Sequence, residues 1–200
     1  MRMRCLAKLL WVGVFGSLWV PVQANAGPME AGFQGALAAP LGGDLRITSG
    51  AGPGWAAGVH GGYAFNERHT LKLRVERWAL PQGHQTFAGA PVAQDLATKV
   101  GAVAWGAEYL WRPGGSASPW AAGAGVYCIR WSVASEDTLT TQGGSTRSSG
   151  TSAWTRQGLG LLGSYRITPH LEAEARAVFS HYGYENLNAN VALVGLAWRF

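Results

Sequence analysis

Hydrophobic and polar residues alternate with a period of two along most of the chain. In residues 70–78, Leu71 and Val75 fall on one face, whereas Lys72 and Arg74 fall on the opposite face. This alternation is typical of a β-strand with a different environment on each side. The pattern recurs at 98–111, 120–132, 154–167 and 170–179, more weakly at 30–39 and 55–65, and a last time at 188–200.

The eight predicted strands are long for a soluble protein. Each covers about 10–14 residues, whereas ordinary strands have about 5–6 residues and membrane-spanning strands need about 9–11. Because the bilayer interior offers no hydrogen-bond partners, a sheet can span it only when it closes on itself. The pattern therefore predicts an all-β fold, an eight-stranded antiparallel up-and-down transmembrane β-barrel.

The connections between these strands alternate in length, as they do in outer-membrane barrels with long extracellular loops and tight periplasmic turns. Residues 133–153 are rich in Ser, Thr and Gly and are expected to form a mobile surface loop. This loop and residues 80–97 are the predicted places for an extracellular ligand. The long connections are 40–54, 80–97 and 133–153, the short ones are 66–69, 113–119 and 168–169, and the last one, 183–187, is short where a long one is expected.

The charged face of each strand is expected to look into the barrel, and the apolar face toward lipid. Side chains fill the interior of an eight-stranded barrel, so opposite charges can pair there. In 120–132 the same reasoning places Tyr127, Ile129 and Trp131 toward lipid, and Cys128 toward the lumen. The predicted lumen charges are Lys72, Arg74, Glu76, Glu108, Arg130, Arg156, Arg166, Glu172, Glu174 and Arg176; the predicted interface aromatics are Trp78, Tyr109, Trp111, Trp131, Trp154, Tyr165 and Trp198.

The N-terminus has the layout of a cleaved signal peptide. Arg2, Arg4 and Lys8 precede an apolar run, and an Ala-x-Ala site ends at Ala26. A membrane anchor is the alternative, but an apolar run of about 14 residues is short for the bilayer core. The sequence therefore predicts a signal peptide over residues 1–26 and one barrel domain over residues 27–200.

Composition then excludes several classes of protein. The chain has 29 Gly and only 14% charged residues, which argues against helical bundles and coiled coils. Removing the signal peptide lowers the net charge from +5 to +2, so nucleic-acid binding loses its main support. Cys128 remains as a single cysteine, which excludes an internal disulfide bond.

One sequence motif and the histidines raise the question of a cofactor or metal site. Residues 158–163 match the pattern G-x-G-x-x-G, but they lie within a predicted strand, and Glu172 and Glu174 follow too early for a dinucleotide site. Glycines that ease packing in a barrel strand are the better interpretation. The five histidines show no metal-ligand spacing, so neither a metal nor another cofactor is predicted.

The C-terminal residues carry a family resemblance. Val194, Leu196, Trp198 and Phe200 share one face of the last strand and end the chain on Phe. This ending resembles the terminal strand signal of bacterial outer-membrane proteins, and residues 119–127 and 163–176 resemble strands of small opacity-type and OmpX-type barrels. The resemblance implies an outer-membrane barrel with roles in adhesion, surface stability or host interaction, mostly without catalysis. It also implies recognition by the barrel-assembly machinery and contact with outer-membrane lipid and lipopolysaccharide.

The sequence thus predicts a monomeric outer-membrane barrel of a Gram-negative bacterium with a structural or surface-interaction role, not an enzyme. One alternative is a hydrolase resembling the lipid A deacylases, with His181 as base. Their motif His-x-Ser-Asn is incomplete here, and Ser180 is expected on the face opposite His181. A second alternative is a soluble periplasmic barrel that binds a ligand inside.

Overall fold

The computed structural model describes residues 29–41, 45, 50, 52–89, 92–182 and 187–200. The predicted signal peptide, residues 1–26, lies outside them. Within the described ranges no helix is long and apolar enough to cross a membrane. The elements are β1 (Met29–Pro40), β2 (Gly54–Asn66), β3 (His69–Ala79), β4 (Gly83–Gly89), β5 (Val92–Trp111), a 3₁₀ turn (Gly115–Ala117), β6 (Trp120–Thr141), β7 (Gly144–Arg166), β8 (Leu171–Tyr182), β9 (Leu187–Asn188) and β10 (Val191–Arg199).

Eight of these strands close into a ring. The order is β1-β2-β3-β5-β6-β7-β8-β10, and β10 pairs with both β8 and β1. Every pairing is antiparallel between neighbours along this ring. The Phe200 amide extends the closing seam, donating to the Ala31 carbonyl at 2.9 Å. The predicted eight-stranded up-and-down antiparallel barrel is confirmed.

Side chains alternate between the inside and the outside of the ring because successive Cβ atoms point to opposite faces. On β3, Lys72, Arg74 and Glu76 are buried, whereas Leu73 and Val75 are 47% and 50% exposed. The same alternation runs around the barrel. The apolar positions on its outside are therefore those of a surface that faces an apolar solvent.

Short turns occupy one end of the barrel together with both ends of the described chain. The Asn66 side chain accepts hydrogen bonds from the amides of Arg68 and His69 at 2.9 and 3.1 Å, which closes the turn between β2 and β3. The Thr168 hydroxyl accepts from the amides of His170 and Leu171 in the turn before β8. Such side-chain capping makes a tight reversal with few residues.

The opposite end differs from the sequence prediction, because residues 80–97 and 133–153 are mostly strand. β6 and β7 pair without a break from Trp120↔Tyr165 to Thr141↔Gly144, so 133–153 is a two-stranded ribbon. β4 continues the β3 ladder along β5 after an interruption at 80–82, where Pro81 has no amide to donate. The Ser, Thr and Gly content suggested a loop, but Thr has a good strand propensity and the growing ladder supplies the pairing partners.

The face assignment of β6 was also wrong. Tyr127, Ile129 and Trp131 are buried inside the barrel, and Cys128 and Arg130 lie on the outside. Trp131 meets Trp78 there in an edge-to-face contact with ring centroids 5.8 Å apart. Period-two alternation defines two faces of a strand without saying which of them is inside. The interior toward the end with the long hairpins proves to be apolar. Of the predicted interface aromatics, Tyr109, Trp111, Tyr165 and Trp198 lie outside, whereas Trp78, Trp131 and Trp154 lie on the inner face.

The interior is layered. Toward the end with the long hairpins it is apolar, and Leu45, from the connection between β1 and β2, is fully buried in this layer. The middle contains the charged side chains described below. Small residues make room for large ones: a Cβ on Gly160 would lie 2.5 Å from the ring of Tyr127. The apolar layer consists of Ala38, Leu45, Ala56, Trp78, Leu80, Val100, Ala102, Ala104, Ile129, Trp131, Val178, Ala189, Val191 and Leu193, with Tyr127 at its boundary.

Candidate functional site

The middle of the barrel holds a buried network of ion pairs centred on Arg74. This side chain on β3 is 2% exposed, and its guanidinium contacts three carboxylates. The nitrogen–oxygen distances are 2.8 Å to Glu174 on β8, 3.0 Å to Glu108 on β5 and 3.3 Å to Glu76 on β3 itself. One cation thus links three strands across the lumen.

Two further cations on the strands extend the network in opposite directions. The Lys72 amine lies 2.8 Å from Glu174 and 3.7 Å from Glu172, toward the end with the short turns. Arg176 donates to both carboxylate oxygens of Glu76, one of them at 3.0 Å, and lies 3.7 Å from Glu108. Because β3 and β8 are not neighbours in the ring, these contacts brace the barrel across its interior.

Neutral polar side chains donate further hydrogen bonds to two of these carboxylates, Glu76 and Glu108. The Tyr127 hydroxyl donates to Glu108 at 2.6 Å, and the Trp78 indole donates to Glu76 at 3.0 Å. The Gln34 amide donates to Glu76 at 2.9 Å, while its oxygen lies 2.6 Å from Nδ1 of His60. Buried charges require such partners, since each unsatisfied one costs free energy.

Sequence reasoning missed these neutral partners and one cation. Arg112, beyond the end of β5, contacts Glu172 at 2.8 Å. With it the network balances four carboxylates against four cations: Glu76, Glu108, Glu172 and Glu174 against Lys72, Arg74, Arg112 and Arg176. Gln34 and His60 were detectable as polar residues on weakly patterned strands. Tyr127 was hidden by the wrong face assignment of β6.

The ten charged residues predicted for the lumen separate into three groups. Seven form the network: Lys72, Arg74, Glu76, Glu108, Glu172, Glu174 and Arg176. Arg156 and Arg166 lie on the inner face of β7, Arg156 on the long-hairpin side of the network and Arg166 on the side of the short turns. There Arg166 donates to the Ser116 carbonyl at 3.3 Å. Arg130 is a correction: it is exposed on the outside because Ile129 and Trp131 occupy the interior.

The network packs closely against the wall formed by β1 and β10. The gap there, lined by Gln34, Glu174, Arg176 and Leu193, is too narrow to hold a water molecule. The chemistry of this layer is therefore ion pairing between groups already in contact. In the described part of the chain, no group of three or more His, Cys, Asp or Glu side chains is placed to hold a metal ion.

Ser180 and His181 do not form a nucleophile–base pair. Ser180 is 4% exposed on the inner face of β8, where its hydroxyl donates to the His181 carbonyl at 3.2 Å. The His181 side chain is exposed on the outer face. Neighbouring strand residues point in opposite directions, so the imidazole cannot take a proton from this hydroxyl.

No family model matches the chain, and no curated protein matches it. Solved structures that resemble it include a major outer membrane protein from Thermus thermophilus (14% identity, TM-score 0.47, 86% of this chain and 99% of that chain). OprG from Pseudomonas aeruginosa (10%, 0.46, 88% and 96%) and the attachment invasion locus protein Ail of Yersinia pestis (13%, 0.40, 86% and 96%) are further examples.

The chain has the fold of a small outer-membrane β-barrel. At these identities and TM-scores the likeness assigns neither a ligand nor an activity, and the fold rests on the strand pairing itself. The G-x-G-x-x-G residues, 158–163, lie inside β7 of this barrel.

The end of the barrel with the long hairpins carries a four-stranded sheet beyond the ring. β4 covers one flank of β5, and the distal half of β5 pairs with β6, which pairs with β7. β8 joins β7 only from Gly158, so among the described residues 144–157 have a strand neighbour on one side only. The surface here carries an ion pair between Arg147 and Glu136 and a 2.9 Å hydrogen bond from Gln94 to Asp137, together with the exposed side chains of Phe87, Val92 and Leu139.

The C-terminal residues lie on the outside of the closing seam. Val194 and Leu196 are 61% and 51% exposed, Trp198 stacks on His170 with centroids 5.9 Å apart, and the Phe200 ring lies 6.1 Å from that of Phe33. The residues predicted to signal assembly thus form one apolar row beside β1.

Proposed function

We propose that this chain is an integral barrel protein of a bacterial outer membrane, with a structural and surface-interaction role and no catalysis. The observation that carries the proposal is the apolar outside of the closed ring. Large apolar side chains there are mostly 40–70% exposed, which a water-facing protein does not sustain over all its strands. They include Phe33, Leu37, Val59, Tyr63, Leu73, Val75, Val103, Tyr109, Val126, Leu159, Leu161, Phe179, Val194 and Leu196.

The two ends of the ring support an orientation. The short turns and both ends of the described chain lie at one end, and the four-stranded sheet stands at the other. Outer-membrane barrels place tight turns in the periplasm and long connections outside the cell. The sheet of β4 and the outer halves of β5, β6 and β7 is therefore the extracellular part of the protein.

The filled interior supports a structural role. Ion pairs occupy the middle of the lumen, and the apolar layer with Leu45, Trp78 and Trp131 occupies the part toward the cell exterior. A barrel whose interior is occupied by side chains in contact with one another suits a structural role better than the passage of solutes.

The extracellular sheet supports a role in binding other proteins. The free edge of β7, residues 144–157, presents backbone donors and acceptors in an extended strand, and a partner can add a strand to such an edge. The proposed contact region consists of residues 133–153, which form the ribbon, and residues 80–97, which contain the short edge strand β4. Recognition of the Phe200 strand by the barrel-assembly machinery, removal of residues 1–26 and a monomeric state belong to the same proposal.

Fractionation combined with heat-dependent gel migration tests this function. The protein should enter the outer-membrane fraction, and its band should shift between unboiled and boiled samples, because a closed barrel resists detergent until heated. A protein in the soluble periplasmic fraction without a shift would contradict the proposal and favour the ligand-binding periplasmic barrel.

The absence of catalysis has its own test. His181→Ala and wild type should be equal in a lipid A acyl-release assay, with no acyl chain released by either protein. Release by the wild type that His181→Ala abolishes would favour the lipid A deacylase-like hydrolase.

A further inference from the structure

Three exposed cations lie on the outside of neighbouring strands: Arg77 on β3, Lys99 on β5 and Arg130 on β6. Val103 on β5 pairs with Arg77 on one side and with Arg130 on the other. The two arginines therefore occupy one row, about 10 Å apart across two strand spacings. Lys99 shares their face, about 13 Å farther along β5 toward the extracellular sheet.

On the outer surface of the barrel, this row lies where the apolar surface ends on the side of the extracellular sheet, the side called upper here. Below it on the same strands, Val75, Trp105 and Val126 are 50%, 36% and 59% exposed. Above it, Ser132 and Ala134 of β6 lead into the polar ribbon. In the orientation proposed above, the edge lies at the level of the outer-leaflet headgroups, where long cationic side chains extend toward the polar region.

The three cations have no protein partner among the described residues. No hydrogen bond or ion pair joins Arg77, Lys99 or Arg130 to another side chain there, in contrast to Arg147, which is paired with Glu136. The outward positions of β3, β5 and β6 around the row, within 75–79, 99–105 and 128–134, contain no Asp or Glu. Because the two guanidinium groups flank Val103, an anionic group that lies over this residue contacts both of them.

The cations are confined to one flank of the barrel. On the next two strands of the ring, Trp55 of β2 and Leu37 of β1 reach the same end as exposed apolar residues, at 52% and 70%. A general preference for charge at the membrane surface would distribute cations around the ring. The concentration on β3, β5 and β6 instead indicates one discrete anionic occupant.

We infer that Arg77 and Arg130, with Lys99 above them, bind the phosphorylated headgroup of an outer-leaflet glycolipid whose acyl chains lie along Val75, Trp105 and Val126. A phosphate offers several acceptor oxygens, and guanidinium groups bind such oxygens in a directed, charge-assisted manner. This inference rests on the proposed membrane function and deepens it, since it names one lipid contact of the barrel.

Lipid retention by the refolded mature chain in nonionic detergent tests the inference. The probes are bis-phosphorylated lipid A, the same lipid with its phosphates removed, and inorganic phosphate, each counted by native mass spectrometry over a concentration series. The double variant Arg77→Gln/Arg130→Gln is compared with Arg68→Gln/Arg147→Gln, which removes the same charge from exposed positions elsewhere. A third variant adds Lys99→Gln to the first pair.

Wild type and the Arg68/Arg147 control should bind phosphorylated lipid A equally, and the Arg77/Arg130 variant about tenfold more weakly. Dephosphorylated lipid should bind wild type as weakly as phosphorylated lipid binds that variant. Equal binding by the Arg77/Arg130 variant and wild type would overturn the inference, as would an equal loss in the control variant. Inorganic phosphate binding as tightly as the lipid would overturn the assignment to a glycolipid.

Heat-dependent gel migration of every sample separates this test from that of the proposed function. A variant enters the comparison when its band shifts as wild type does, which shows a closed barrel. A wild-type chain without any shift would contradict the proposed function itself. If the bands shift on heating but the Arg77/Arg130 variant binds the lipid as wild type does, only the glycolipid site is contradicted.

Discussion

Two arginines with carboxylate partners, one inside the barrel and one on the ribbon, show how strongly the surroundings decide what an ion pair contributes. Arg74 contacts Glu108 and Glu174 in the barrel middle, where all three side chains are at most 4% exposed. Arg147 contacts Glu136 on the ribbon, where the side chains are 68% and 51% exposed. The backbone ladder of β5, β6 and β7 continues from one region into the other. The difference between the regions therefore lies in the side chains and their solvent.

Inside the barrel, ionised groups have lost water, so each needs a complete set of protein partners. On the ribbon, water solvates either ion alone, and a pair contributes little. The interior is consequently over-determined by contacts across strands, whereas the ribbon keeps its shape mainly through its backbone ladder.

The largest expected effect comes from breaking the interior pair. Arg74→Met should lower the free energy of unfolding by about 3–5 kcal/mol, because Glu108 and Glu174 keep their charges in a buried site without this cation. Arg147→Met, the matched change on the ribbon, should cost at most about 1 kcal/mol. Denaturant unfolding in detergent, followed by tryptophan fluorescence, measures both. Equal losses would contradict the contrast between the regions.

A smaller effect should follow the loss of one neutral partner inside. Tyr127→Phe removes the hydroxyl that donates to Glu108 at 2.6 Å and should destabilise the barrel by about 1.5–3 kcal/mol. Tyr165→Phe on the lipid-facing side serves as control and should change stability by less than about 0.5 kcal/mol. The same unfolding measurement applies. A Tyr127→Phe barrel as stable as wild type would show that the Glu108 oxygen needs no donor there.

Two glycines of the G-x-G-x-x-G motif test how tightly the barrel interior is packed. Gly160→Ala places a methyl group 2.5 Å from the Tyr127 ring and should cost about 1–3 kcal/mol. At Gly163 the nearest atom to a new Cβ is the Ala121 carbonyl oxygen at 4.0 Å, so Gly163→Ala should be nearly neutral. The melting temperatures of the two variants in detergent measure these effects. A larger loss for Gly163→Ala than for Gly160→Ala would contradict the close packing of Gly160 against Tyr127.

The smallest effect is expected from shortening the ribbon. Replacing residues 138–147 by a two-residue Asn-Gly turn should leave the temperature of the gel-band shift within a few degrees of wild type, because the segment contributes no buried apolar residue. Binding of any surface partner through residues 133–153 should be lost. A collapse of the barrel on shortening would show that the ribbon is part of its folding core.

Much of this architecture could be predicted from the alternation alone. On β3 and β8 most charged positions share one face and most apolar positions share the other, so Lys72, Arg74, Glu76, Glu172, Glu174 and Arg176 were placed inside from their spacing. Arg77 on the outer face, and Trp78 and Val178 on the inner face, depart from this pattern. Arg112 was not predicted as part of the network because it follows the end of β5, where no alternation indicates the direction of its side chain. Gln34 and His60 escaped because β1 and β2 are rich in small residues and have little contrast between their faces.

The sequence by itself determined that this chain forms long strands with two unlike faces, because side-chain direction alternates with a period of two. Only the tertiary structure decided which face of β6 is inside, since the barrel interior has an apolar layer that accepts Ile129 and Trp131 as readily as lipid would. The same decision moved Arg130 to the outside. Strand pairing likewise turned 133–153 into a ribbon, because backbone groups of β6 and β7 satisfy each other whatever the Ser and Thr side chains prefer.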